Sequence, residues 1–151
     1  LSMSNFQSPQ SHIHVIARGF LVRGDKIILC RAKDSDYFFL PGGHIEDGES
    51  ARTALLRELY EEIGPADYKI TSFMGVVENI FPLEESILQQ EMNIVFAVDV
   101  PIEMEITTKE NHIEFVGVPK ESLAEYRILP TSLKDALLDW AQLKNPFFKE
   151  S

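Results

Sequence analysis

The sequence predicts an α/β sandwich, and three observations carry that prediction. Strand-length runs rich in Ile, Val and Phe recur along the chain, apolar residues recur at helical spacing in two longer stretches, and strands fall on both sides of the first of these helices.

The elements follow in order. His12 to Val22 and Lys26 to Arg31 read as strands joined through the turn-forming Arg23-Gly24-Asp25. Tyr37 to Leu40 is a short extended run, and the Pro41-Gly42-Gly43 that follows suits a specialised loop. From Ser50 to Ile63, Leu55, Leu56, Leu59 and Ile63 stand at helical spacing, with Gly64-Pro65 as the stop. Tyr68 to Ile80 and Glu91 to Val100 read as long strands. The polar, Pro-containing stretch Phe81 to Gln90 between them is expected to be a loop that covers a site. Glu114 to Val118 reads as a further strand and Pro119 to Tyr126 as a short helix with proline in its first turn. Thr131 is the expected cap of a last amphipathic helix through Leu143, with Leu133, Leu137, Leu138 and Trp140 inward.

A chain of 151 residues has room for one ordinary domain, expected here over residues 12–148. Residues 1–11 read as a flexible polar segment, in which Leu1-Ser2 ahead of Met3 looks like an added tail. The single cysteine, Cys30, excludes an internal disulfide framework and fits a reducing compartment, so the expected location is cytoplasmic. No apolar stretch is long enough to span a membrane. The net charge of −10 argues against binding duplex nucleic acid, and small polyanions need a local cation or bound metal to be held at all.

The chemistry concentrates in GHIEDGESARTALLRELYEEIGP, residues 43–65, where a Gly-rich loop feeds the first helix. At about 100° per residue, Glu58, Glu61 and Glu62 fall within an arc of about 100°, beside the apolar arc of Leu55, Leu59 and Ile63. A solvated acidic face is the plain alternative. Against it, Glu58 and Glu62 form a like-charged i,i+4 pair that costs roughly a few tenths of a kcal/mol, and Glu61 and Glu62 stand at the helix end that favours cations. A divalent ion among these hard oxygen ligands, Mg²⁺ or Mn²⁺, turns the repulsion into coordination and makes the patch able to accept phosphate.

The spacing of Gly43, Glu49, Arg57-Glu58-Leu59, Glu61-Glu62 and Gly64 resembles the signature of the Nudix hydrolases, the MutT-like pyrophosphohydrolases. Pro65 alone departs, standing where that pattern has an aliphatic residue. The resemblance implies an α/β/α sandwich with a mixed central sheet and a metal-dependent enzyme cleaving a diphosphate bond. The substrate classes it implies are ADP-ribose, nucleotide sugars, dinucleoside polyphosphates and nucleoside triphosphates. It further implies Glu58, Glu61, Glu62 and the Gly43 carbonyl as metal ligands, with Glu58, Arg57 and Glu61 catalytic. Arg57 would orient Glu58 and pair with Glu49, and Glu58 is the first candidate for the base. Glu110 and Glu114 are candidates for a further base or metal ligand. A nucleotide-binding module without catalysis is the alternative function, and such a domain is compatible with a homodimer.

Outside that run, Arg18 and Arg31 are candidates to hold phosphate, with Lys33 behind them, because a guanidinium grips two oxygens in one plane. Phe81, with Tyr37, Phe38 and Phe39, is a candidate to stack on a base. Glu78, Asn79 and Glu91 are candidates to line the same cleft. His44 follows the glycines, where it could touch phosphate. His12, His14 and His112 lack the spacing of a zinc pair.

Overall fold

The computed structural model describes residues 11–106 and 112–150. The strands are β1 (Ser11–Arg23), β2 (Lys26–Ala32), β3 (Gly42–His44), β4 (Lys69–Glu84), β5 (Ile87–Asp99), β6 (Ile113–Pro119) and β7 (Phe147–Glu150). The helices are α1 (Ala51–Glu62) and α2 (Thr131–Leu143), with a 3₁₀ helix over Lys120–Glu125. The strands form one mixed sheet in the order β6-β2-β1-β5-β4-β7, with β3 also pairing β1. The pairs β1–β5 and β4–β7 are parallel and the others antiparallel.

Period-2 alternation divides the inward residues between two cores, one on each side of the sheet. Ala17, Leu21, Ile28, Phe96 and Val98 pack with Ala54, Leu55 and Leu59 of α1. Ile27, Leu29, Val77, Val95 and Val118 pack with Leu133, Ala136, Leu137 and Trp140 of α2. The result is the α/β/α sandwich with a mixed sheet. Ser50 caps α1 by accepting the Thr53 N–H, and the helix ends at Ile63, whose N–H bonds Leu59.

The structure corrects several expectations. Phe81 to Gln90 is not a covering loop: β4 and β5 continue as one long hairpin that turns at Glu85-Ser86. Pro82 is tolerated in that ladder because β7 reaches β4 only over Gly75–Glu78, so no partner strand needs its missing N–H, and the register shifts between Pro82 and Glu84. The Gly42-Gly43-His44 stretch, expected as loop, is a strand on β1, whereas Phe38 and Phe39 make only isolated bridges. Pro119 ends β6 rather than opening a helix, and the turn after it is 3₁₀. Pro130, not Thr131, stands at the α2 cap, with no side chain bonding the first turn. β7 was not expected at all. Its parallel seat depends on Gly75, which has φ +154° and where a Cβ would collide with the Phe147 carbonyl oxygen. The N-terminal residues 1–10 and Glu110 lie outside the described residues.

Candidate active site

The loop before α1 and α1 itself bring the acidic residues around one cation, Arg57. Its Nε–H and one Nη–H donate to the two oxygens of Glu49 at 2.7 and 3.0 Å, a two-toothed pairing. The other nitrogen donates to Glu58 at 2.9 Å and approaches Glu61 at 3.4 Å, and a further bond reaches the His44 carbonyl at 3.1 Å. Sequence spacing explains why these meet. One turn separates Arg57 from Glu61 on α1, while the β3–α1 loop folds Glu49 back over the helix, pinned by the Glu46 N–H bonding its carboxylate. These hydrogen bonds, Glu49's first, raise the Arg57 pKa, and the Arg57 bond holds the Glu49 carboxyl below the usual carboxylate range.

Glu58 is the most enclosed acid of α1 in this group, 18 % exposed against 58 % for Glu61. Its carboxylate lies directly on the Gly43 backbone, in space that any side chain at 43 would fill. Among the described residues, no three His, Cys, Asp or Glu side chains converge at metal-ligand spacing, since Glu58 and Glu61 both face Arg57. The donor set nevertheless suits a hard divalent ion: Glu58 oxygens beside a bare glycine backbone, and Glu61 exposed enough to swing in.

On the α2 side of the sheet, a cavity of about 600 Å³ is lined by Arg18, Asn79, Phe81 and Glu91 of the sheet, by Tyr37 and Phe39, and by Leu129, Pro130 and Thr131 ahead of α2. Asn79 and Glu91 stand opposite each other on β4 and β5, with aromatic rings around them. Arg18 pairs on β1 with Gly42, next to the Gly43 backbone that the Glu58 carboxylate lies against. Burial lowers the Arg18 pKa, while Glu91 on the cavity side and Glu62 and Glu58 on the helix side favour its charge.

Several sequence candidates lie elsewhere. Glu78 is one residue out of phase with the cavity-lining Asn79 on β4, does not line the cavity, and accepts a bond from Gln90. Arg31 does not reach the cavity either. It faces Glu114 across the β2–β6 ladder at 2.7 Å and lies over the Phe38 ring, so these two candidates engage each other. His14 and His44, far apart in sequence, come together with Nδ1 and Nε2 2.9 Å apart, because the β1–β3 register sets His44 beside Ile16. Sequence reasoning missed Asn93, whose signal was an amide among the apolar residues of Met92 to Val98.

The class defined by this architecture is an α/β/α sandwich, a mixed sheet between two helices, with an acid-rich loop and helix on one face and a nucleoside-sized cavity on the other. The sequence model of the NUDIX domain matches residues 12–140, and the chain belongs to the Nudix family. Over 68 residues it is 37 % identical to an ADP-ribose pyrophosphatase of Methanocaldococcus jannaschii, a match covering 43 % of this chain and 40 % of that protein. The fold is similar to a MutT protein from Methanosarcina mazei, with TM-score 0.71 and 22 % identity over 91 % of this chain and 99 % of that one. It is also similar to an ADP-ribose pyrophosphatase from Streptococcus suis, with TM-score 0.62 and 14 % identity over 91 % and 98 %. Among the described residues no helix is long and apolar enough to cross a membrane.

Proposed function

We propose that residues 12–148 form one catalytic domain that hydrolyses the diphosphate bond of a nucleoside diphosphate derivative, with ADP-ribose the first substrate to test. The observation that carries this reading is the position of Arg18, which lines the nucleoside-sized cavity and pairs on β1 with Gly42, the neighbour of the Gly43 backbone against which the Glu58 carboxylate lies. A diphosphate lying along Arg18 has its nucleoside end among Tyr37, Phe39 and Phe81 and its other end toward α1. The partial likeness to an ADP-ribose pyrophosphatase supports the choice of substrate.

In this reading Glu58, Glu61, Glu62 and the Gly43 carbonyl hold Mg²⁺ or Mn²⁺, which when bound neutralises diphosphate oxygens and makes water more acidic. Arg57 fixes the Glu58 carboxylate from one side and the Gly43 backbone confines it from the other. Glu58 accepts the proton of the attacking water. Glu114, turned to Arg31, is set aside as the base. The charge of −10 and the buried thiol of Cys30 fit a cytoplasmic enzyme of small nucleotides rather than of duplex nucleic acid.

The test is to incubate the protein with ADP-ribose, nucleotide sugars, dinucleoside polyphosphates and nucleoside triphosphates, with Mg²⁺ or Mn²⁺, and to identify products by chromatography. AMP and ribose 5-phosphate from ADP-ribose are expected. Binding of the panel without turnover would replace the enzyme by a nucleotide-binding module, and neither binding nor turnover would remove the reading.

A further inference from the structure

Asn93 is fully buried, 1 % exposed, and the next two residues along its sheet face, Val95 and Ala97, are apolar core. A buried amide is costly unless its donors and acceptor are matched. Here both ends are used: Oδ1 accepts from Arg18 Nε–H at 3.1 Å, and Nδ2 donates to the Val77 carbonyl at 3.2 Å. Only this amide orientation works, because a guanidinium has no acceptor and a carbonyl has no donor. The β4–β5 register, which places Val77 opposite Asn93, therefore dictates where Oδ1 points.

The held partner is a cation taken partly out of water. Arg18 donates a second bond to the Leu40 carbonyl at 3.0 Å, so two of the five N–H groups of this cavity-lining residue are tied to the protein and three lie beyond those two bonds. A long side chain normally loses rotamer freedom when it grips a ligand, and one already fixed at two points loses less. The anchors lie on different elements, Leu40 before β3 and Asn93 on β5, so the plane of the fork is set as well as its position.

We propose that Asn93 is a positioning residue: it locks the Arg18 guanidinium in the orientation that presents its remaining N–H groups to the diphosphate oxygens of a nucleotide in the cavity. Asn93 touches no substrate itself and acts only through Arg18. This inference rests on the nucleotide reading of the cavity given above and adds to it a residue that specifies the orientation of the anion grip.

Two measurements test it. The first is the titration of ADP with excess Mg²⁺ into the native chain, Asn93→Leu, Arg18→Ala and the double variant, by calorimetry. Asn93→Leu is expected to weaken the ADP Kd about tenfold, and in the Arg18→Ala background the same change should alter Kd by less than about twofold, since coupled residues do not add. The second needs no ligand: the Arg18 Nε–H signal in a ¹⁵N spectrum is expected to be protected from solvent exchange in the native chain and unprotected in Asn93→Leu. A purely packing role would lower Tm in Asn93→Leu and move neither readout. If Asn93→Leu does not fold, Asn93→Val, β-branched and smaller, carries the same two measurements. ADP bound equally well with the Arg18 signal still protected would overturn the positioning role alone. A native chain that takes up no ADP would overturn the nucleotide reading and this role with it.

Discussion

Replacing Gly43 by alanine isolates the contact on which the acidic site turns. Position 43 has no left-handed backbone requirement, so alanine is locally allowed, and restricting the unfolded chain favours it by about 0.4–1 kcal/mol. The new methyl group would stand 2.6 Å from Glu58 Oε2 and nearer still to the carboxyl carbon, where ordinary contact begins at 3.4 Å. The carboxylate must therefore retreat by about 0.9 Å or more, since Oε1 would lie only 2.5 Å from the methyl carbon. It is the far end of a flexible side chain, so the fold can absorb that movement, and stability should change by less than about 1 kcal/mol. Catalysis cannot absorb it in the same way. Misplacing a reacting group by about 1 Å costs on the order of a hundredfold, so kcat on ADP-ribose should fall to about that degree with Tm nearly unchanged. The assay is AMP release under saturating Mg²⁺, paired with thermal melting of the same preparation. Full activity in Gly43→Ala would show that the Glu58 position against the glycine backbone has no part in turnover. A collapse of Tm would show that the contact serves folding.

Other outcomes follow from the same geometry. Glu58→Gln and Glu61→Gln should each lower turnover by at least about a hundredfold with the circular dichroism spectrum unchanged, and near-native turnover in either would remove that residue from the site. Arg31→Ala should leave ADP-ribose turnover within about threefold of native and stability within about 1 kcal/mol, because its partner Glu114 is more than a third exposed and surface pairs are weak; a tenfold loss of turnover would place Arg31 at the substrate after all. Glu49 has a folded-state pKa below its ordinary 4.5, so the unfolded chain binds its proton more readily, and its contribution is present above about pH 4.5 and lost as the pH falls through the lower folded value. Denaturant melts between pH 5 and 3 should therefore show a shallower acid loss for Glu49→Gln than for the native chain, and parallel losses would refute the Arg57–Glu49 linkage.

The α1 segment shows what kind of information is local. Its apolar spacing, the Ser50 cap, the Gly64-Pro65 stop and the placing of Glu58, Glu61 and Glu62 on one flank depend on residues within a turn or two of each other, so they were legible in the sequence. The β4–β5 hairpin was misjudged because proline and acidic residues at 82–86 carry a turn-like composition, and only the free outer edge of β4 beyond Glu78 makes Pro82 acceptable. Glu78 and Asn79 differ by one residue, and the strand pleat sends one to the cavity side and the other away from it; composition cannot tell which.

By itself the sequence determined that this is an α/β chain with a glycine-led helix whose Glu58, Glu61 and Glu62 share one flank, because helix period and cap chemistry act over short distances. Tertiary structure decided which distant groups meet: Arg57 with Glu49, Arg31 with Glu114, His14 with His44, and Asn93 behind Arg18. Those meetings depend on strand register and on which face of the sheet each helix covers, and both are settled by packing the whole core at once.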